Sequence, residues 1–118
     1  MTTHATIYRN AVPDLSQAPA AVILFVLAGC PACHAILPRF KAIAQKYAAC
    51  LPVVVMDATR ADYGPVADYF NVTHTPTAIG LTRRRGQVAR FHGAVEDYEI
   101  ERLFQTTVYG LSCELQGH

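Results

Sequence analysis

The sequence predicts an α/β fold with a central mixed β-sheet of four to five strands flanked by about four helices. Three observations carry that expectation. Two uninterrupted apolar runs, at about 20–27 and 51–56, read as strands buried on both faces. Between them Ile36, Phe40, Ile43 and Tyr47 recur at i, i+4, i+7 and i+11, the one-face spacing of an amphipathic helix. After them come two shorter strand-like stretches around an arginine-rich turn, and then a second amphipathic helix.

The bulk numbers fit one small domain. At 118 residues the chain is long enough for a real core and too short for two, so 1–118 is read as a single domain with its core at about 20–108. Hydrophobic residues make up 52% and charged residues 16%, which argues against disorder. A net charge of +1 gives no electrostatic case for nucleic acid or an anionic membrane as partner. Arg83-Arg84-Arg85, directly before Gly86, reads as a solvated hairpin turn. No apolar run approaches the ~20 residues of a membrane span. Leu27-Ala28-Gly29-Cys30 does spell a bacterial lipobox. However, Asp14, Pro13 and Pro19 interrupt what would be its leader, and cleavage would remove a strand the fold needs. The expected location is cytoplasmic, with a monomer as the expected state.

Taken in order, Thr6-Ile7-Tyr8 is a candidate first strand, and Pro13 to Ser16 opens a short helix or turn. The run Ala20 to Leu27 follows as the first buried strand and breaks at Gly29. Cys30-Pro31-Ala32-Cys33 then stands at the mouth of the long helix, with Arg39, Lys41, Gln45 and Lys46 on its polar sides. Pro38 sits inside that helix, where it removes a hydrogen bond and is expected to produce a kink. Leu51 to Met56, closed by Asp57, completes a right-handed β-α-β unit. Pro65 to Phe70 reads as a short helix with Val66, Tyr69 and Phe70 on one face. Ala78 to Leu81 and Gln87 to His92 form a hairpin ended by Gly93. The last helix carries Ile100, Leu103, Phe104 and Val108 inward, with Glu96 and Asp97 at its N-terminal end.

A strand that ends in Cys-x-x-Cys and turns into a helix puts one sulfur at the positive end of the helix dipole. That lowers a thiol pKa and makes a nucleophile, so dithiol–disulfide exchange is the leading chemistry. As N-cap residue, with Pro31 preset for the first helical position, Cys30 faces unpaired backbone amides that favour its thiolate. Cys33, one turn further in, is the expected resolving thiol. Other chemistries compete. Cys30 to His34 satisfies the c-type haem signature Cys-x-x-Cys-His, but haem attachment wants a distal ligand and a helical shell, whereas this site is flanked by a buried strand and a Pro-bearing loop. Zinc on Cys30, Cys33 and His34 would need a fourth donor. No cofactor and no metal are expected.

The element order, together with four matching features, resembles the thioredoxin family from about Ala20 to Phe104. The features are Cys30 to Cys33 at the strand-to-helix turn, Pro38 five residues later, Thr75-Pro76-Thr77, and Gly86-Gln87-Val88 with Gly93-Ala94. The resemblance implies a thioredoxin fold and a thiol–disulfide oxidoreductase acting on protein or small-molecule disulfides. It implies a cis Pro76 facing the sulfurs, and a substrate groove bordered by Gly29, Pro31, Thr75, Pro76 and Gly93. An extended peptide would pair with Thr75 like an added strand, and Thr75's hydroxyl would donate to Cys30. The implied partners are disulfide-containing proteins and a reductant, either a thioredoxin reductase or the glutathione system.

Departures from the pattern are informative. Gly29 stands where thioredoxins carry Trp, and the Pro31-Ala32 spacer is nearer the Cys-Pro-x-Cys of glutaredoxins. Some of those hold an iron–sulfur cluster between two chains, an outside alternative here. Leu24 replaces the buried carboxylate, and Val53 roughly replaces its facing lysine, so Cys33 is expected to deprotonate without a protein base. Cys50 and Cys113 lie outside the motif and read as buried or free thiols, a regulatory or intermolecular disulfide through Cys113 being the sharper reading. His74 reads as an exposed loop residue, with tuning of the thiolate as its sharper role. The competing function is a non-enzymatic, redox-sensing binding module.

Overall fold

Seven consecutive buried residues, Ala20–Val26, form the central strand of the sheet in the computed structural model, which describes residues 7–9, 15–16, 18–59 and 61–111. The elements run β1 (Ile7–Arg9), β2 (Ala20–Val26), α1 (Pro31–Ala44), β3 (Val53–Asp57), α2 (Gly64–Tyr69), β4 (Thr77–Thr82), β5 (Gly86–His92) and α3 (Asp97–Val108). Three helices thus lie among the described residues. Of the expected early helix or turn, Pro13 and Asp14 lie outside the described residues, and Leu15 and Ser16 form a turn.

The sheet order is β1-β3-β2-β4-β5. β2 pairs parallel with β3, from Val22↔Val53 to Val26↔Asp57, and antiparallel with β4, from Ala20↔Thr82 to Phe25↔Thr77. Because side chains alternate across a strand, the two faces collect different sets. Val22, Leu24, Val26, Val53 and Val55 meet Ile36, Phe40 and Phe104 of α1 and α3. Ile23, Phe25, Val54, Met56 and Ile79 meet Ala67 of α2. Both faces are covered, which is why the central runs are apolar throughout.

The hairpin of β4 and β5 keeps register from Thr77↔His92 to Gly80↔Ala89, then slips to Leu81↔Gln87. The slip leaves Val88 opposite no residue, a one-residue bulge.

On α2 the expected apolar face needs correction. Val66 and Phe70 pack on the sheet with Ala67, but Tyr69 is 79% exposed and meets the Phe70 ring edge-on, with ring centroids 4.9 Å apart. Val66 and Phe70 are four residues apart and share a side; Tyr69 lies about 100° round from Phe70.

Tyr47, just beyond the end of α1, is 1% exposed and stacks on Phe104 at 4.9 Å. Its hydroxyl donates to Glu101 Oε1 at 2.5 Å, and Lys46 Nζ reaches both Glu101 oxygens at 2.8 Å. Burial first, and then the Glu101 carboxylate, push the phenol well above its ordinary range. A phenol that keeps its proton in the fold but loses it in the unfolded chain stabilises fully below about pH 10, and that contribution declines as pH rises further. Tyr47→Phe is therefore expected to cost about 1–2 kcal/mol in urea unfolding at neutral pH and less above about pH 10.

Candidate active site

The local sequence dictates the turn that carries the cysteines. Gly29 has φ +78°, a left-handed conformation that favours glycine, and it lets the chain leave β2 and start α1 at once. Cys30 is the helix N-cap, with extended backbone (φ −93°, ψ 107°), and Pro31 opens the first turn. Its Sγ accepts the Cys33 backbone N–H at 3.2 Å. The first turn of α1 holds no acidic residue, so no carboxylate competes for the helix dipole there.

Cys30 and Cys33 are joined in a disulfide, their Cα atoms 5.2 Å apart. Cys33 is 2% exposed, while Cys30 is only half-buried. Accessibility thus separates the two sulfurs: one is offered to a partner and the other lies behind it. Pro38 lies inside α1, where it has no N–H to give the His34 carbonyl. His34 itself is exposed.

The loop before β4 lies beside this turn, because β4 is the antiparallel neighbour of β2. The Thr75–Pro76 peptide is cis. Thr75 Oγ1 donates to Cys30 Sγ at 3.6 Å, and Thr75 O lies 3.7 Å from the same sulfur. The loop is held by Thr77 Oγ1, which donates to His74 O at 2.6 Å. It is also held by Gly93 N, which donates to Pro76 O at 2.8 Å. Gly93 takes φ +83° at the end of β5, with open space where a Cβ would stand. Cys30, Cys33, Thr75, Pro76 and Gly93 are thereby linked by direct contacts, and Gly29 and Pro31 flank Cys30 on the exposed surface.

Leu24 is fully buried and pairs with Val55 and Ala78 in the sheet, in the same apolar cluster as Cys33. Val53, in that cluster too, is also fully buried. The position that would hold a carboxylate is thus hydrocarbon. Among the described residues, no group of three or more His, Cys, Asp and Glu is placed to hold a metal ion.

Three features escape a sequence reading. Arg39, placed by its spacing on the polar side of α1, donates to Val95 O at 2.6 Å and to Asp97 Oδ1 at 2.7 Å, bracing the segment after Gly93. Arg90 of β5 donates to Phe70 O at 2.7 Å and Asn71 O at 2.8 Å, tying down the chain that leads into the Thr75 loop. Cys50 is half-buried, and the expectation of a free thiol fails there because it is disulfide-bonded; Cys113 lies outside the described residues.

The thioredoxin family model matches residues 1–106. The chain belongs to the thioredoxin family. Proteins of this family act on disulfide substrates and are restored by a reductase, and the Cys30–Cys33 pair gives this thioredoxin-family chain the chemistry of a thiol–disulfide oxidoreductase. Among solved structures, thioredoxin from Schistosoma mansoni is 22% identical with a TM-score of 0.69, over 85% of this chain and 97% of that one. A mutant thioredoxin from Halobacterium salinarum is 16% identical with a TM-score of 0.70, over 91% of this chain and 96% of that one. The germline-specific thioredoxin Deadhead of Drosophila melanogaster is 22% identical with a TM-score of 0.63, over 74% of this chain and 79% of that one. At these identities the likeness is one of fold. No curated protein matches the chain. No helix among the described residues is long and apolar enough to cross a membrane.

Proposed function

We propose that the protein reduces or exchanges disulfides of protein substrates, with Cys30 as nucleophile and Cys33 as resolving thiol. One observation carries this reading. The half-buried Cys30 sulfur caps α1, accepts the Cys33 N–H at 3.2 Å and faces the Thr75 hydroxyl at 3.6 Å. Each donor stabilises thiolate over thiol, and only the thiolate attacks a disulfide.

In the dithiol form, Cys30 thiolate attacks one substrate sulfur. The substrate S–S bond breaks, a mixed disulfide forms, and the departing thiolate takes up a proton. Cys33 then loses its proton and attacks Cys30 Sγ. The second substrate thiol leaves, and the Cys30–Cys33 disulfide closes. Two electrons have passed to the substrate, and an external dithiol or reductase returns them. Gly29, Pro31, Thr75, Pro76 and Gly93 border the groove in this reading, and a substrate strand pairs with the Thr75 backbone. The protein works as a single-domain monomer in the cytoplasm, contributing to redox homeostasis. Either a thioredoxin reductase or the glutathione system supplies its electrons.

The test is a trap. Cys33→Ser protein, incubated with a disulfide substrate such as insulin, should accumulate a mixed disulfide on Cys30, visible by intact mass and released by dithiothreitol. A variant that accumulates none, while the wild type turns over, would remove Cys30 from the nucleophile's role.

The resolving step has its own signature. With Leu24 in the family's carboxylate position, a buried Cys33 deprotonates unassisted, and burial raises a thiol's pKa. Its single-turnover rate should climb about tenfold per pH unit through neutrality as one ionisation. A second ionisation in the carboxylate range would show that a base assists after all.

A further inference from the structure

Beside the cysteine pair lies a recess of about 230 Å³ that the dithiol chemistry does not use. Leu27 past the end of β2, Ala58 past β3, Ala67 of α2, and Val72 give it apolar lining. Thr75 lines it as well, so it begins at the residue whose hydroxyl touches Cys30. Asp68 supplies a carboxylate, and among the described residues no cation pairs with it. His74 also borders the recess, its Nδ1 3.0 Å from Thr73 Oγ1.

A recess of mixed lining, with Leu27, Ala58, Ala67 and Val72 as its apolar part and one unanswered carboxylate, suits a side chain with a long hydrocarbon stem and a cationic head. An acidic side chain would meet repulsion. A purely aliphatic one would gain the apolar part and forgo the charge.

We propose that this recess is a specificity pocket for a lysine or arginine flanking the substrate cysteine. The stem lies along Leu27, Ala58, Ala67 and Val72, and the head meets Asp68. A chain paired with Thr75 while its sulfur engages Cys30 has a flanking residue at the mouth of this recess. The inference rests on the dithiol reading above and names its substrate class.

The test compares disulfide peptides identical except for Lys, norleucine or Glu on either side of the cysteine, with dithiothreitol recycling the protein. At the flank that enters the recess, kcat/KM should favour Lys over norleucine by about three- to fivefold, the size of a partly exposed ion pair, with Glu poorest. In Asp68→Asn the Lys preference should fall to about one while norleucine turnover is unchanged, and about 1 M salt should erase it in the wild type. Equal turnover of Lys and norleucine peptides at both flanks, or a preference that survives Asp68→Asn, would overturn the pocket. Calorimetric binding of the same peptides with serine for cysteine reads the recess without any redox step. There Asp68→Asn must weaken the Lys peptide alone. Binding of that kind with no turnover of any peptide would count against the dithiol reading and leave the pocket standing.

Discussion

Replacing Cys30 by serine should lower disulfide reduction at least about a thousandfold, to the rate of dithiothreitol alone. The hydroxyl keeps the size and the N-cap preference of the position, so the fold and the Thr75 contact are preserved. It does not ionise near neutral pH, so the amide at Cys33 and the Thr75 hydroxyl have no thiolate to stabilise. Cys33 is no substitute, because at 2% exposure it cannot reach a disulfide in solution. The measurement is insulin reduction with unchanged circular dichroism as the control. A variant as fast as the wild type would mean that binding, and not thiol chemistry, is what this site does.

Gly80→Ala should destabilise the protein by about 3 kcal/mol, at the upper end for an overpacked core. A Cβ at Gly80 would stand 1.9 Å from Thr107 Oγ1 and 3.1 Å from Thr107 Cβ. Neither side can give way easily. Gly80 is held between Val22 of β2 and Ala89 of β5, and Thr107 is fully buried with its hydroxyl committed to Leu103 O at 2.7 Å. Helix α3 would have to lift from the sheet. Chemical unfolding of the single and double variants checks the cause. Thr107→Ala alone should cost about 1–2 kcal/mol, and combined with Gly80→Ala the total should fall short of the sum by about 1 kcal/mol or more. Strict additivity would mean that the two residues do not collide.

What the sequence disclosed well was local. Ala20 to Val26 and Val53 to Met56 are apolar without a break because both faces of the sheet are covered, and the spacing of Ile36 and Phe40 follows from one buried side of a helix, which ends at Ala44 before Tyr47 is reached. The turn at Gly29, Cys30 and Pro31 needs a left-handed residue, a cap and a preset φ in immediate succession, and each has its own residue type. What stayed hidden depends on chain segments that only the fold brings together. Arg39 and Val95 are 56 residues apart and Arg90 and Phe70 are 20 apart, and no periodicity announces either pair. The recess by Asp68 draws on four separate segments in the same way. Tyr69 misled because α2 is only six residues long. Over so short a helix a moderate angular error turns an inward side chain outward.

The bulge opposite Leu81 has a consequence for how the protein behaves at high concentration. β5 is the outermost strand on its side of the sheet, and an edge of that kind offers free backbone donors and acceptors to any chain that arrives with a matching rhythm. Val88 breaks the rhythm. One extra residue twists the rim locally and puts its hydrogen-bonding groups out of phase with a straight partner. A ladder between two copies meeting edge to edge would be interrupted at Val88. The slip is thus a safeguard against self-templated aggregation, standing away from the Thr75 loop, where the proposed mode of recognition needs a strand to dock.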